Sequence, residues 1–415
     1  MKVLIAIDHH FIRDRTGQVY PGHPFAIRGY TFFEPYLEVF EEAVVLARVR
    51  QQDEPPSRAA PASGARIAFH DLPDYLGPWE YFRNFLGLRR GVRRAIESSD
   101  AFILRVPGAI GQLAWQALSG SGRPYALEVV ADPWDMYAPG AVPSPVRPIV
   151  RRRWSALLRT MCRQAPSVLY VTRDALQRRY PPGPETWTTY ASDVDLRGGI
   201  IDGSGLETRI RRLDALFGVN GSSPVPQIGF VGALAQMYKA PDVLLRAAAV
   251  CARAGLKFTV SLVGDGKFRS EMEKLAAQLN IADRVRFLGA LPPGQAVRDF
   301  LDQVDLFVLP SRQEGLPRAM VEAMARGCPC LGSTVGGIPE LLDGEDLVSP
   351  DNPDALARKI REVLSDRPRL ERMIARNLKR AGDFLPDVLR QRQLGFYRKV
   401  RDQASRGMVT SNKGA

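Results

Sequence analysis

Short apolar runs alternate with longer amphipathic stretches along most of the chain. Residues 2–7, 43–47, 66–69, 101–106, 125–130 and 168–172 each read as a buried strand. A second series follows at 227–232, 258–263, 286–289, 304–309 and 330–332. Between them lie segments with helical spacing, including 33–40, 111–119, 353–364 and 385–400. Strands separated by helices of this length predict parallel sheets covered on both faces, the Rossmann-like α/β plan. The polar residues Asp8, His9 and His10 follow the first run, so they are expected beyond a strand end, where such sheets bind ligands.

The pattern breaks between residues 195 and 226. Gly198, Gly199, Gly203, Gly205 and Gly221 gather there around a short helical segment. The resulting division is a first domain over 1–195, a linker region over 196–226 and a second domain over 227–384. A final helix over 385–404 and a disordered tail over 405–415 complete the reading.

Composition narrows the class. With 415 residues the chain exceeds one ordinary core, and 45% hydrophobic with 25% charged residues reads as soluble and globular. No run has the apolar length of a membrane span, and residues 1–8 are too short for a secretory signal. Cys162, Cys251, Cys328 and Cys330 show neither metal-ligand nor disulfide spacing, so reduced thiols and a cytoplasmic setting are expected. The formal net charge of +12 changes the picture more. Arginines cluster at 83, 89, 90, 93 and 94, and again at 147, 151, 152, 153, 159 and 163, beside aromatic and apolar residues. This combination suits a peripheral contact with an anionic membrane surface, though solvated helix faces give the same pattern. Nucleic acid is not expected, because no nucleic-acid motif accompanies the charge.

Candidate chemistry concentrates in residues 307–327, FVLPSRQEGLPRAMVEAMARG. An apolar strand runs into a polar loop. Pro317 then marks a helix start and Gly327 its end. Unpaired backbone N–H groups at such a junction form a natural site for anions and sugar hydroxyls. Two carboxylates, Glu314 and Glu322, sit eight positions apart on this unit. A lone spacing of this kind also arises on a solvated helix face; the flanking Pro, Gly and Ala-Met-Ala-Arg-Gly context makes it specific.

The Glu-x7-Glu motif in this context resembles the retaining GT-B glycosyltransferases, in particular glycosyltransferase family 4. The first half resembles, more loosely, a branch serving bacterial polysaccharide assembly, through residues 128–135 (EVVADPWD) and the segments after them. The resemblance implies two Rossmann-like domains whose parallel sheets face an interdomain cleft, the first binding acceptor and the second binding donor. It implies a last helix that crosses back to the first domain. It also implies a hexosyltransferase that needs no metal ion or cofactor, using a nucleotide-diphosphate sugar as donor substrate. The acceptor would be a glycan or polyprenyl-linked glycan.

Residue by residue, Glu314 matches the carboxylate on the donor sugar and Glu322 the one on the ribose. The amides of Gly315 and Leu316 would join Glu314. Lys239, after the strand ending at Gly232, matches the lysine that neutralises the leaving diphosphate. Ala233 stands where the family commonly has an arginine, so a second cation is needed, Arg312 being one candidate. Gly264 and Leu288 fall on the strand ends where the nucleotide approaches the backbone. Asp132 occupies the position of a first-domain group near the sugar, with His9 and His10 as second choices. Gly17 lies in the loop that approaches phosphates or acceptor in relatives. Two other readings stay open: a nucleotide-sugar-binding scaffold without catalysis, and a GT-B sugar epimerase.

Overall fold

The computed structural model describes residues 1–22, 29–54, 56, 59–138, 145–196, 198–218 and 224–412. Its backbone divides into two units. One comprises Met1–Trp134, Ile149–Ala191 and Arg390–Ala415; the other comprises Asp135–Pro148 and Ser192–Leu389. The chain runs through β1 (Lys2–Arg13), β2 (Val19–Pro21), α1 (Glu34–Leu37), β3 (Glu42–Gln51), β4 (Ile67–Pro73) and α2 (Gly77–Glu97). Next come β5 (Ala101–Val106), α3 (Ala109–Ser119), β6 (Ala126–Val129), α4 (Pro133–Met136), α5 (Arg147–Gln164), β7 (Ser167–Tyr170), α6 (Ala175–Arg179) and β8 (Trp187–Tyr190). These strands form one sheet ordered β4-β3-β1-β5-β6-β7-β8, all parallel, with β2 antiparallel on β1. Every residue of β5, β6 and β7 is buried, which is why they read as continuous apolar runs.

The second series is α7 (Gly203–Leu216), β9 (Gln227–Val231), α8 (Pro241–Arg253), β10 (Thr259–Val263), α9 (Arg269–Gln278), β11 (Val285–Gly289) and α10 (Gln295–Asp302). It continues with β12 (Leu306–Leu309), α11 (Arg318–Ala325), β13 (Cys330–Ser333), α12 (Ile338–Leu341), β14 (Leu347–Val348), α13 (Pro353–Leu364), α14 (Arg367–Ala381) and α15 (Pro386–Asn412). Its sheet is wholly parallel, ordered β11-β10-β9-β12-β13-β14. The order reverses between β9 and β12. At such a switch point the loops leaving two adjacent strands diverge and open a crevice.

Four features differ from the sequence reading. β1 does not end at residue 7. It shifts register against β3 between Ala6 and His10 and continues to Arg13, so Asp8, His9 and His10 lie at a bulge within the strand. The helical spacing of 33–40 marks buried Phe33, Tyr36 and Phe40, but only four residues are α-helical. Within the region read as linker, α7 is packed into the second unit. Arg209 is 6% exposed and donates to the carbonyls of Val304 and Leu301. Finally, α15 continues to Asn412, past position 405, where the sequence reading places a disordered tail. Residues 413–415 and the linker positions 197 and 219–223 lie outside the described residues.

The helix α15 is fastened within the first unit by a buried polar knot. Glu128 on β6 pairs with Arg105 on β5 and accepts hydrogen bonds from Tyr36 (2.8 Å) and Tyr397 (3.1 Å). The two tyrosine rings stack with centroids 4.4 Å apart. Burial pushes both phenols well above their ordinary pKa, with the Glu128 charge adding to it, so they stay protonated donors. All four cysteines are buried thiols.

Candidate functional site

The loops leaving β9 and β12 flank the switch point of the second sheet. After β9, Gly232 leads through a 3₁₀ turn (Met237–Lys239) to Ala240, which caps α8 with φ 54°. A left-handed alanine costs about 1 kcal/mol, and here it sits between Lys239 and the helix start. A Cβ on Gly232 would lie 2.4 Å from Lys239 Cδ, so the absence of a side chain lets the lysine stem fold over the strand end. Gly264, at φ 138°, brings the end of β10 so close that a Cβ would meet the Gly232 carbonyl at 1.9 Å.

After β12, the loop 310–317 carries Glu314 to the same place. Lys239 Nζ donates to Glu314 Oε1 at 2.8 Å, and Ser311 Oγ donates to the same oxygen at 2.8 Å. The two charged side chains are only 14% and 7% exposed. Burial alone would lower the Lys239 pKa; the adjacent Glu314 carboxylate outweighs it and holds the ammonium above its ordinary value. The loop is shaped from behind by Gly336 and Gly337, whose backbone lies directly against it. Gly337 N–H donates to the Gly315 carbonyl at 2.7 Å, and a Cβ on Gly336 (φ 52°) would lie 1.7 Å from the Glu314 carbonyl oxygen.

The helix α11 begins one residue later than Pro317, which serves as its N-cap. Glu322 lies on this helix, partly exposed among the buried Met320, Val321, Ala323 and Met324. Arg318, exposed at its first position, lies close enough for its charge to oppose that of Lys239. Arg312 is occupied otherwise. Its guanidinium makes a two-pronged pair with Asp242 (2.9 and 2.7 Å), binds Asp351 at 2.6 Å and donates to the Met237 carbonyl at 2.9 Å. It ties the two loops together, which leaves little of it for a diphosphate.

At the edge of the sheet, β11 carries a bulge. Leu262 pairs with Phe287 and Val263 with Gly289, so Leu288 is skipped, and its side chain is 44% exposed. A bulge on an edge strand takes backbone groups out of the ladder. Leu288 is therefore neither core nor fully paired.

The remaining sequence candidates lie in the first unit. Asp132 is 8% exposed, and its carboxylate accepts from the Trp134 N–H at 2.8 Å and the Tyr180 hydroxyl at 2.5 Å while pairing with Arg179. That set of partners holds the turn after β6. Gly17, at φ 86°, forms the turn of the β1–β2 hairpin, where its N–H bonds the Asp14 carbonyl at 3.1 Å. It too is a turn residue. His9 is partly buried at the bulge.

His10 has a more pointed setting, at the switch point of the first sheet between β1 and β5. Its Nδ1 lies 2.7 Å from Asp74 Oδ1. Nearby Asp8 accepts from Ala109 N–H at the start of α3 (2.7 Å) and pairs with Arg48 at 2.9 Å. Arg48 in turn lies over the Tyr75 ring, whose buried hydroxyl has no hydrogen-bond partner among the described residues. The sequence reading missed Arg48, Asp74 and Tyr75; their signal was position, since Asp74 and Tyr75 directly follow β4. Among the described residues, no group of three His, Cys, Asp or Glu side chains is placed to hold a metal ion.

Two doubly wound parallel sheets, with paired charges at one switch point and a polar cluster at the other, define the GT-B class of α/β protein. Comparison with known structures agrees: Anabaena HepE in complex with UDP-glucose matches with a TM-score of 0.59 at 18% identity, over 99% of this chain and 100% of that one. Residues 225–366 match the family described as Glycosyl transferases group 1, so the second unit carries a group 1 glycosyltransferase domain. Protein CapJ of Staphylococcus aureus is 25% identical over 94% of this chain and 95% of its own length. The 2-deoxystreptamine glucosyltransferase of Streptomyces kanamyceticus is 30% identical over 62% of this chain, which spans 66% of that protein.

Proposed function

We propose that the protein moves a hexosyl group, with retention, from a nucleotide-diphosphate sugar to a hydroxyl of a glycan or lipid-linked glycan. The observation that carries this reading is the buried Lys239–Glu314 pair, 2.8 Å long, between the strand ends of β9 and β12. It joins a cation suited to a diphosphate with a carboxylate suited to sugar hydroxyls. In the free protein each satisfies the other. When donor binds, the ammonium turns to the diphosphate and the carboxylate to the sugar, so neither group is desolvated without a partner at any stage.

The bond from the anomeric carbon to the diphosphate oxygen breaks, and a bond to the acceptor oxygen forms on the same face. The acceptor's proton passes to the departing phosphate. Lys239 and the N–H groups opening α8 stabilise the charge that grows there. Arg318 supplies the second cation in place of the family arginine replaced by Ala233, since Arg312 is held by Asp242 and Asp351. Glu314 and the amides of Gly315 and Leu316 hold sugar hydroxyls, Glu322 holds the ribose, and the backbone at Leu288 receives the base. The scheme uses no metal ion.

The acceptor falls to the first unit, where His10 and Asp74 offer a hydrogen-bonding pair at the strand ends. The loose resemblance of residues 128–135 (EVVADPWD) to a branch serving bacterial polysaccharide assembly supports a place in that process. The acceptor then resides at the cytoplasmic face of the membrane. The test is turnover with chelator present: donor and a polyprenyl-linked glycan should give a product whose new anomeric proton has the donor's configuration by NMR. An inverted product, or transfer abolished by chelator alone, contradicts the scheme.

A further inference from the structure

The helix α2 wears its apolar residues on the outside. Trp79, Phe82 and Leu86 are 86, 68 and 64% exposed, and Leu76, just before the helix, is 69% exposed. Their spacing of three, three and four puts them on one stripe, while Leu88, Val92, Ala95 and Ile96 on the opposite side are buried against the first unit. A soluble helix of this fold has no need of such a stripe, because its core-facing side is already complete.

Charge continues the same face. Arg83 lies within the apolar stripe, and Arg90 and Arg93 continue it along the helix, with Arg89 and Arg94 beside it, all five exposed. None of the five is in an ion pair among the described residues, although many of the protein's other arginines are, including Arg13, Arg48, Arg212, Arg312, Arg326, Arg376 and Arg380. The first half of the helix thus offers mainly apolar side chains, and the second half offers guanidinium groups outside any ion pair among the described residues. The second arginine cluster is unlike this one: Arg151 lies 3.8 Å from the Trp134 ring centroid, and Arg159 donates to the Arg179 carbonyl at 3.0 Å.

We infer that α2 is the surface by which the protein docks on an anionic bilayer, with Trp79, Phe82 and Leu86 entering the interface and Arg83, Arg90 and Arg93 meeting lipid phosphates. Apolar insertion and charge attraction reinforce each other on one face, and a bilayer carrying anionic headgroups satisfies both at once. Long arginine stems can lie along the acyl boundary while their heads stay with the phosphates. This deepens the membrane part of the proposed function and does not depend on the donor site.

The experiment is flotation of the full chain with vesicles of phosphatidylcholine, alone and mixed with phosphatidylglycerol, at low and high salt. Wild type should float only with the anionic vesicles. A Trp79→Ser/Phe82→Ser/Leu86→Ser variant should bind at least about tenfold more weakly. An Arg83→Gln/Arg90→Gln/Arg93→Gln variant should lose about a hundredfold and most of the salt dependence. An Arg152→Gln/Arg153→Gln variant in α5 should float as wild type does. Thermal stabilisation by nucleotide, measured on each variant, separates this inference from the donor reading, since it should persist throughout. Failure of wild type to float at low salt overturns the inference, as does undiminished binding by the α2 variants. A self-associating wild type that becomes monomeric in the apolar variant without any change in flotation also overturns it, by making α2 a protein interface.

Discussion

Lys239 Nζ and Glu314 Oε1 lie 2.8 Å apart, joined across 75 positions of sequence by the adjacency of β9 and β12. Removing one partner leaves the other buried and unpaired. Glu314→Gln or Lys239→Met alone should cost about 3–5 kcal/mol of stability in urea melts. The double variant should recover most of that loss while transferring no sugar. Full recovery of turnover in the double variant would exclude both residues from the chemistry.

The glycine pair behind this loop gives a sharper probe of geometry. Gly336→Ala drives a Cβ against the Glu314 carbonyl, which must move away. Because an ångström of misplacement can cost a hundredfold, kcat/KM should fall by about that factor. Gly344→Ala meets nothing within 4 Å and should change neither activity nor melting.

The two loop arginines should separate cleanly. Arg318→Ala should weaken donor binding about tenfold with little change in Tm. Arg312→Ala, which breaks the pair with Asp242, should lower stability by about 1–2 kcal/mol. Isothermal titration with the donor nucleotide and denaturant melts on the same preparations would show both. A larger binding loss for Arg312→Ala would return that residue to the diphosphate.

How legible the chain was depended on which signal an element carried. In the second unit β9, β12 and β13 were legible because they are buried strands, and α8 and α13 because Pro241 and Pro353 stand at their starts, while α9, α10, α12 and β14 were not read. The edge strand β8 was not read, since Trp187–Tyr190 is only half-buried and has no apolar run. The bulge in β1 hides in a continuous strand-like sequence. The Lys239–Glu314 encounter was legible only through the family resemblance. Arg312 and Asp132 were placed by chain position alone, and their side-chain partners, Asp242 and Tyr180, are ones that sequence order does not pair.

Acid should destabilise the first unit through His70. Burial lowers its pKa below 6.5; Asp71 pulls it back up, while Arg94 pushes it further down. The unfolded chain therefore takes up that proton more readily than the folded one. Its contribution to stability is full above pH 6.5 and falls as pH drops towards the folded pKa, below which it levels off. Urea melts across this window should show a slope that His70→Gln flattens; an unchanged slope would assign it to other groups.

The central claim, a nucleotide-sugar site built on the strand ends of β9 and β12, meets its most direct test in thermal shifts. Wild type and Glu322→Ala would be heated with UDP, GDP, ADP and their common sugar conjugates. One nucleotide, at a hundredfold excess over its Kd, should stabilise wild type by about 2.7 kcal/mol and leave Glu322→Ala almost unmoved. Equal stabilisation of both proteins would contradict the placement of the site, and no response to any nucleotide would contradict the donor reading itself.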